Sequence, residues 1–121
     1  MVAVDLHRYY TAIENILERI ERCVGMPPPP APTWHRDLLI GATRPLADAR
    51  PAILSASLVA GLEKLLAFRH FFRHAYVVEF DPSRLTSLVD EVQRIHSGVA
   101  ADLRRFTAHL QATIDGLRGG S

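Results

Sequence analysis

The sequence DPSRLTSLVDEVQRIHSGVAADLRRFTAHLQATIDGL occupies residues 81–117 and carries the longest periodic pattern in the chain. Asp81 is suited to cap a helix and Pro82 to occupy its first position, since the first N–H groups of a helix lack partners within it. From Leu85 to Leu117 apolar residues recur at steps of three and four, which predicts about thirty residues and about 45 Å of helix. A helix longer than a small domain is wide needs partners along its length, so we expect a helical bundle.

A second periodic segment covers residues 4–24 and ends at Gly25, a residue type that commonly terminates helices. The charged residues of this segment are expected on the solvated side of the helix: Glu14, Glu18, Arg19, Glu21 and Arg22. Four consecutive prolines at 27–30 then exclude a helix, because each lacks an N–H donor and clashes with the preceding turn. Residues 25–33 are therefore predicted to form a stiff connector.

Two further helices are predicted between this connector and the long helix. The first begins at Trp34, with Thr33 as its cap, and ends near residues 41–44. The second begins with Pro51 in its first turn and reaches His74.

Four amphipathic segments joined by short connections, among them the β-branched run 76–80, predict an all-α fold. The expected architecture is an antiparallel bundle of four to five helices. A length of 121 residues and a mass of 13.5 kDa limit the chain to one domain, predicted over residues 1–121 with a core at about 4–118. The 48% hydrophobic and 22% charged content excludes a globally disordered chain.

Charge and cysteine content exclude several classes of protein. The net charge of +1 argues against a strongly basic surface that binds nucleic acid nonspecifically. Of the lysine and arginine residues, all except Lys64 are arginine. Cys23 is the only cysteine, so neither an intrachain disulfide nor a cysteine-based zinc site can form. The sequence has no uninterrupted apolar run of about 18 residues and no signal-peptide pattern, so we expect a cytoplasmic protein with no membrane contact.

The densest group of functional side chains is FRHFFRHAY at residues 68–76, which holds two arginines, two histidines and a tyrosine. Helical spacing puts Arg69 near Arg73 and His70 near His74, each pair one turn apart. The phenylalanines of this segment are available to face the core. The segment therefore predicts a cationic ridge above an aromatic floor.

Three interpretations of this segment remain open. It can be a solvated helix end whose cations complement the helix dipole. Alternatively, His70 and His74 can share a metal ion, although only Glu79 is evident as a further ligand and the arginines would repel a divalent cation. The third interpretation is a site that binds or cleaves a phosphodiester, since arginine offers a planar fork to phosphate and histidine exchanges a proton near neutral pH.

The spacing Arg69-x-x-x-x-His74-x-Tyr76 resembles the R-x-x-x-x-H-x-Y motif of the HEPN superfamily, specifically that of the HepT-like ribonuclease toxins. The resemblance extends over roughly residues 5–110 and includes the segment WHRDLL at 34–39. Within that segment, the residue pattern alone favours a packing role for Trp34, the first residue of the short predicted helix.

This resemblance implies a homodimeric HEPN domain that acts as a metal-independent endoribonuclease toxin and needs no cofactor. Each subunit is expected to contribute Arg69 and His74 to a shared cleft, with His74 as the acid/base and Arg69 as the phosphate and transition-state clamp. His70 and Arg73 are expected to contact the RNA, which is a tRNA or an mRNA.

The resemblance also implies a protein partner. HepT-like toxins are paired with a nucleotidyltransferase antitoxin of the MNT type, which transfers AMP to the motif tyrosine, here Tyr76. The added phosphates and adenosines would neutralise the cationic cleft and block RNA. The expected assembly is a homodimer, or a higher assembly with the antitoxin.

Two alternatives stay open at this point. Tyr76 can be a packed aromatic residue with a hydrogen-bonded hydroxyl rather than an acceptor of AMP. The whole chain can be a catalytically silent HEPN module that binds a nucleotide or scaffolds a nucleotidyltransferase.

Overall fold

The computed structural model describes residues 2–25, 33–47, 49–74 and 81–119, with the side chains of residues 72–74 excepted. In these ranges the chain forms four α-helices and one 3-10 helix: α1 Val2–Cys23, α2 Trp34–Ala42, the 3-10 helix Ala56–Leu58, α3 Val59–His74 and α4 Pro82–Gly119. The same ranges hold no β-strand, only an isolated bridge between Leu46 and Arg50. The prediction of an all-α bundle is confirmed.

Helix α4 begins where the sequence predicts. The Asp81 carboxylate accepts hydrogen bonds from the Ser83 backbone N–H at 3.0 Å and from the Ser83 hydroxyl at 2.7 Å. These bonds lower the pKa of Asp81, because they stabilise its charged form. The helix then continues for 38 residues.

The buried stripe of α4 ends before the helix does. Leu88, Ile95, Val99 and Phe106 are buried in the core. Beyond Phe106 the periodic pattern continues, but Leu110, Ile114 and Leu117 are 43%, 42% and 79% exposed. The C-terminal part of α4 therefore extends past the helices that the structure describes.

Helix α1 also ends as predicted. Gly25 has a φ of +78°, a left-handed conformation that a side chain would disfavour, and its N–H donates to the Arg22 carbonyl at 3.2 Å. The prediction for residues 26–32 of the connector lies outside the described residues, as does that for the run 76–80.

The core is formed by one face of each helix. Its largest fully buried side chains are Tyr10, Leu17, Leu39, Ile53, Leu54, Leu62, Leu65 and Phe68. Helix α1 packs on both α2 and α3, and α3 and α4 pack on each other. This arrangement brings the middle of α1 and the start of α2 beside the last turns of α3.

The predicted start of the third helix is wrong. Pro51 lies before the helix, and α3 begins only at Val59, after a loop and one 3-10 turn. The loop is held by contacts distant in sequence, because the N–H groups of Ile53 and Leu54 both donate to the Ala42 carbonyl, at 2.8 and 3.1 Å. Those contacts replace the first helical turn that Pro51 was expected to begin.

Thr33 lies at the predicted cap position of α2, but it does not make the expected capping hydrogen bond. Thr33 precedes the helix, yet its side chain makes no hydrogen bond to the helix backbone. Instead its hydroxyl donates to the Asp37 carboxylate at 2.9 Å. Asp37 is thus fixed in the first turn, where a negative charge complements the helix dipole.

Candidate functional site

Arg69 lies in the interior rather than on the expected cationic ridge. Its residue is 4% exposed, and its two terminal nitrogens donate to the two carboxylate oxygens of Glu14 at 2.9 and 3.1 Å. The guanidinium carbon also lies 4.8 Å from the centre of the Tyr10 ring, within range of a cation–π contact. Burial is tolerated because the charge is paired and doubly hydrogen-bonded.

Glu14 occupies this position because it lies on the buried face of α1. Tyr10, Glu14, Leu17 and Glu21 follow one another at steps of four, three and four, and all four are buried. The expectation that Glu14 and Glu21 lie on the solvated side is therefore wrong. The signal in the sequence was this shared spacing with Tyr10 and Leu17, which places two carboxylates in an otherwise apolar stripe.

Glu21 has its own buried partner, Arg50. The Arg50 Nε donates to the Glu21 carboxylate at 2.6 Å. The same guanidinium donates to the carbonyls of Gly41, Arg44 and Pro51, at distances of 3.1, 2.8 and 3.0 Å. This second pair ties the loop after α2 to α1 and leaves no role for Arg50 in the motif site.

His35 joins the pair formed by Glu14 and Arg69. Its Nδ1 lies 2.8 Å from the Glu14 carboxylate and 2.8 Å from a terminal nitrogen of Arg69. A single ring nitrogen either donates to the carboxylate or accepts from the guanidinium, depending on where the proton resides. His35 was not among the predicted site residues. It lies in the segment 34–39 that is part of the family resemblance, but nothing in its local spacing links it to Arg69.

Tyr10, on α1, packs against this network. Its residue is fully buried, and burial raises the pKa of its hydroxyl far above the usual value, with the nearby Glu14 carboxylate adding to the shift. Tyr10 therefore stays neutral and presents its ring to the Arg69 cation. Three helices thus contribute to one network: Tyr10 and Glu14 from α1, His35 from α2 and Arg69 from α3.

The structure describes the other predicted site residues in less detail. His70 is exposed on α3, in agreement with a surface role. Arg73 and His74 lie in the last turn of α3, where the structure describes their backbone alone, and Tyr76 lies outside the described residues. In an α-helix, position 74 follows position 70 by one turn.

The structure describes the side chains of two of the three phenylalanines in the predicted aromatic floor, Phe68 and Phe71. Phe68 is buried in the core, as predicted. Phe71 is 44% exposed, and the Arg84 guanidinium lies 5.3 Å from its ring centre. The prediction that Phe71 faces the core is wrong, because the buried face of α3 at this end is taken by Phe68 and Arg69.

A cleft of about 550 Å³ opens between α2 and α3 beside this network. Its lining residues are Thr33, His35, Arg36, Glu63, Leu66, Ala67 and His70. Arg36 and Glu63 form an ion pair at 3.2 Å between the two helices. We call this feature the α2–α3 cleft.

The residues that the structure describes form neither a metal-ligand cluster nor a membrane-spanning helix. Within those ranges, no three histidine, cysteine, aspartate or glutamate side chains cluster as metal ligands would. Helices long and apolar enough to cross a membrane are likewise absent from the same ranges.

Comparison with known proteins identifies one family. The family model described as HepT-like protein matches residues 1–110, which include α1, α2, α3 and most of α4. Neither a curated protein nor a solved structure matches the chain significantly. Because the match covers most of the sequence and includes the whole motif, the chain belongs to the HepT-like family of the HEPN superfamily.

Proposed function

We propose that this protein is a metal-independent endoribonuclease toxin of a HEPN/MNT toxin–antitoxin system. The observation that carries the proposal is the family match over residues 1–110, which contains Arg69, His74 and Tyr76 at the motif spacing. Helix α3 supports it, since the helix is unbroken to His74 and so keeps positions 69 and 74 about one and a half turns apart.

The chemistry needs only the groups in this motif. A histidine base removes the proton from a ribose 2′-hydroxyl, and the resulting oxygen attacks the adjacent phosphorus. The bond from phosphorus to the 5′ oxygen breaks, and a histidine acid protonates that leaving oxygen. We assign both proton transfers to His74, with two copies of the chain supplying the base and the acid.

Arg69 is proposed to stabilise the negative charge that develops on the phosphoryl oxygens. Glu14 engages two of the five N–H groups of its guanidinium and His35 lies against one terminal nitrogen, so at least two N–H groups have no partner among these two residues. The bidentate pair also fixes the position of the cation before substrate binds. His70 and Arg73 are proposed as contacts to the RNA backbone.

We further propose that two copies form a homodimer with Arg69 and His74 of each copy at a shared cleft. Inhibition would come from an MNT-type antitoxin that transfers AMP to Tyr76. The chain has only three tyrosines, and Tyr10 is fully buried, which limits the competing acceptors to Tyr9.

The central test is RNA cleavage by the purified protein and growth arrest on its expression. We expect His74→Ala to abolish both, whereas His109→Ala, at an exposed histidine of α4, leaves both unchanged. Arg69→Ala is read together with circular dichroism, because this variant also removes the guanidinium that pairs with the buried Glu14. Unchanged cleavage by folded variants at both positions 69 and 74 would overturn the assignment.

The antitoxin proposal has a separate test. Incubation with the nucleotidyltransferase encoded beside the gene, in the presence of ATP, is expected to add AMP masses to the wild type and to Tyr9→Phe. Tyr76→Phe is expected to remain unlabelled. Equal labelling of the wild type and Tyr76→Phe would refute this role for Tyr76.

One observation favours a second candidate function, the catalytically silent HEPN module. Arg69 is 4% exposed and already paired with Glu14, so its charge is largely satisfied within one chain. A module of this kind would bind a nucleotide or scaffold a nucleotidyltransferase without cutting RNA. Stable complex formation with the nucleotidyltransferase, with intact RNA and normal growth on expression, would favour it over the ribonuclease.

A further inference from the structure

We infer that the α2–α3 cleft binds one nucleotide of a single-stranded RNA, adjacent to the phosphodiester on which the motif acts. This inference rests on the proposed function. The cleft lies outside the motif, and three of its residues, His35, Arg36 and Glu63, have no motif role.

The size and lining of the cleft suit a nucleotide. Its volume of about 550 Å³ is in the range of small-molecule sites, which is roughly 300–1,000 Å³. Leu66 and Ala67 provide an apolar surface on α3, and Arg36, Glu63 and two histidines provide the polar groups. An apolar surface with a few convergent polar groups is the usual composition of a site for a base and its phosphate.

Arg36 is suited to bind the phosphate of this nucleotide. Its guanidinium is mostly exposed and pairs with Glu63 through a single contact at 3.2 Å. Exposed pairs of this kind contribute little to stability, so a ligand can replace the contact at low cost. A phosphate then offers Arg36 a stronger, bidentate acceptor.

Glu63 would then be released to bind the base. A carboxylate only accepts hydrogen bonds, so it selects bases that present N–H donors. Guanine presents two adjacent donors, the ring N1–H and the exocyclic amino group, whereas uracil presents a single ring N–H. We therefore assign Glu63 a preference for guanine over uracil.

His35 connects the cleft with Arg69. Its Nδ1 is engaged by Glu14 and Arg69, so Nε2 is the ring nitrogen left for a ligand in the cleft. The ring also packs against Trp34, with centroids 3.7 Å apart and the ring planes inclined by 31°. A nucleotide that binds His35 would therefore contact the same side chain that orients the motif arginine.

The course of α3 places the cleft beside the motif. Glu63, Ala67 and His70 line the cleft at steps of four and three, on one face of the helix. Position 74 continues that face by one more turn. An RNA strand that follows this face would pass from the cleft to His74.

The test is titration of the ¹⁵N-labelled full chain with guanosine 5′-monophosphate and, separately, uridine 5′-monophosphate, followed by NMR. We expect guanosine monophosphate to shift the amide signals of residues 33–36 and 63–70. Arg36→Ala should raise its Kd about tenfold, since a hydrogen bond to a charged group is lost. Arg22→Ala is the matched control, because Arg22 forms an exposed pair with Glu18 at 2.7 Å on α1, and it should leave the Kd unchanged.

Glu63→Gln is expected to remove the preference for guanosine over uridine monophosphate. Equal Kd values of the two nucleotides for the wild type would overturn the role of Glu63. The absence of shifts at residues 33–36 and 63–70, or equal effects of Arg36→Ala and Arg22→Ala, would overturn the site itself.

These outcomes distinguish a failure of this inference from a failure of the ribonuclease proposal. A protein that cleaves RNA but does not bind either nucleotide at the cleft would refute only this inference. A protein that binds guanosine monophosphate there but leaves RNA intact would refute only the ribonuclease, and would support the silent module.

Discussion

Glu14 and Arg69 lie 55 residues apart in the sequence and form two hydrogen bonds in the interior, at 2.9 and 3.1 Å. Their side chains are 6% and 5% exposed, so neither charge is solvated by water to any useful extent. The pair joins α1 to the helix that carries the motif, and His35 adds α2 to the same contact. The motif arginine is therefore a structural element of the bundle as well as a proposed site residue.

Glu14→Ala should destabilise the fold strongly, because it leaves the Arg69 charge buried without its partner. Breaking a buried pair in this way costs about 3–5 kcal/mol. Glu18→Ala is the matched control on the same helix, because its partner Arg22 is exposed and such pairs are worth about 1 kcal/mol or less. Urea unfolding measures both changes. Similar free energies of unfolding for the two variants would show that the interior pair does not stabilise the bundle.

Tyr10 should make the stability of the protein fall at alkaline pH. Its pKa in the unfolded chain is near 10.0, and burial raises the folded value well above that. Above pH 10, the unfolded chain loses this proton while the folded chain keeps it. The free energy of unfolding then decreases by up to about 1.4 kcal/mol for each pH unit.

Tyr10→Phe has no proton to lose at this position, so its stability should fall less steeply above pH 10. The measurement is urea unfolding of both proteins between neutral pH and pH 11. Tyr9→Phe is the comparison, because burial also raises the pKa of Tyr9. Tyr9 is only half-buried, so this variant should retain most of the wild-type slope. Equal slopes for the wild type and Tyr10→Phe would contradict the raised pKa.

Local signals in the sequence predicted the helix ends that depend on local chemistry. Gly25 ends α1 because its own φ is positive, and Asp81 begins α4 because it binds the backbone two residues later. The start of α3 could not be found in this way. It depends on Ile53 and Leu54 donating to Ala42, and these contacts exist only in the folded chain.

Only part of the candidate site could be predicted, because its other residues also meet only in the folded chain. The spacing of the motif predicted that Arg69 and His74 lie on one helix, and α3 carries both positions. It could not identify Glu14 or His35, because burial of a charged residue is decided by a partner distant in sequence. The α2–α3 cleft has the same origin, since Arg36 and Glu63 meet only when α2 packs on α3.

Gly61→Ala should destabilise the contact between α3 and α4. A Cβ at this position would lie 2.6 Å from a Glu91 carboxylate oxygen and 2.9 Å from the Ile95 Cγ2. Overpacking of this kind costs about 1–3 kcal/mol, which opposes the gain in helix propensity that alanine brings at a helical position. Gly116→Ala is the control, because nothing lies within 4 Å of its Cβ, and better helix propensity should stabilise it by up to about 1 kcal/mol. In thermal unfolding, the melting temperature should fall for Gly61→Ala and rise for Gly116→Ala. A rise for both variants would contradict the close approach at Gly61.

The exposed part of α4 should mediate contact between copies of the chain. The exposed apolar residues there are Leu110, Ile114 and Leu117, at steps of four and three on one face of the helix. Two antiparallel copies related by a twofold axis beside Ile114 would therefore bring Leu110 opposite Leu117. Leu110→Glu places a charge in this stripe and should lower the mass of the assembly in sedimentation velocity experiments.

Ala108→Glu adds the same charge on the opposite face of α4 and should leave the mass of the assembly unchanged. Neither variant should unfold the chain, since Leu110 is already 43% exposed and Ala108 is exposed as well. This contact lies about 40 Å along α4 from Asp81, at a rise of 1.5 Å per residue, and so is distinct from the proposed motif cleft. RNA cleavage by Leu110→Glu should therefore persist. Equal masses for the wild type and both variants would show that the stripe is not a contact between copies.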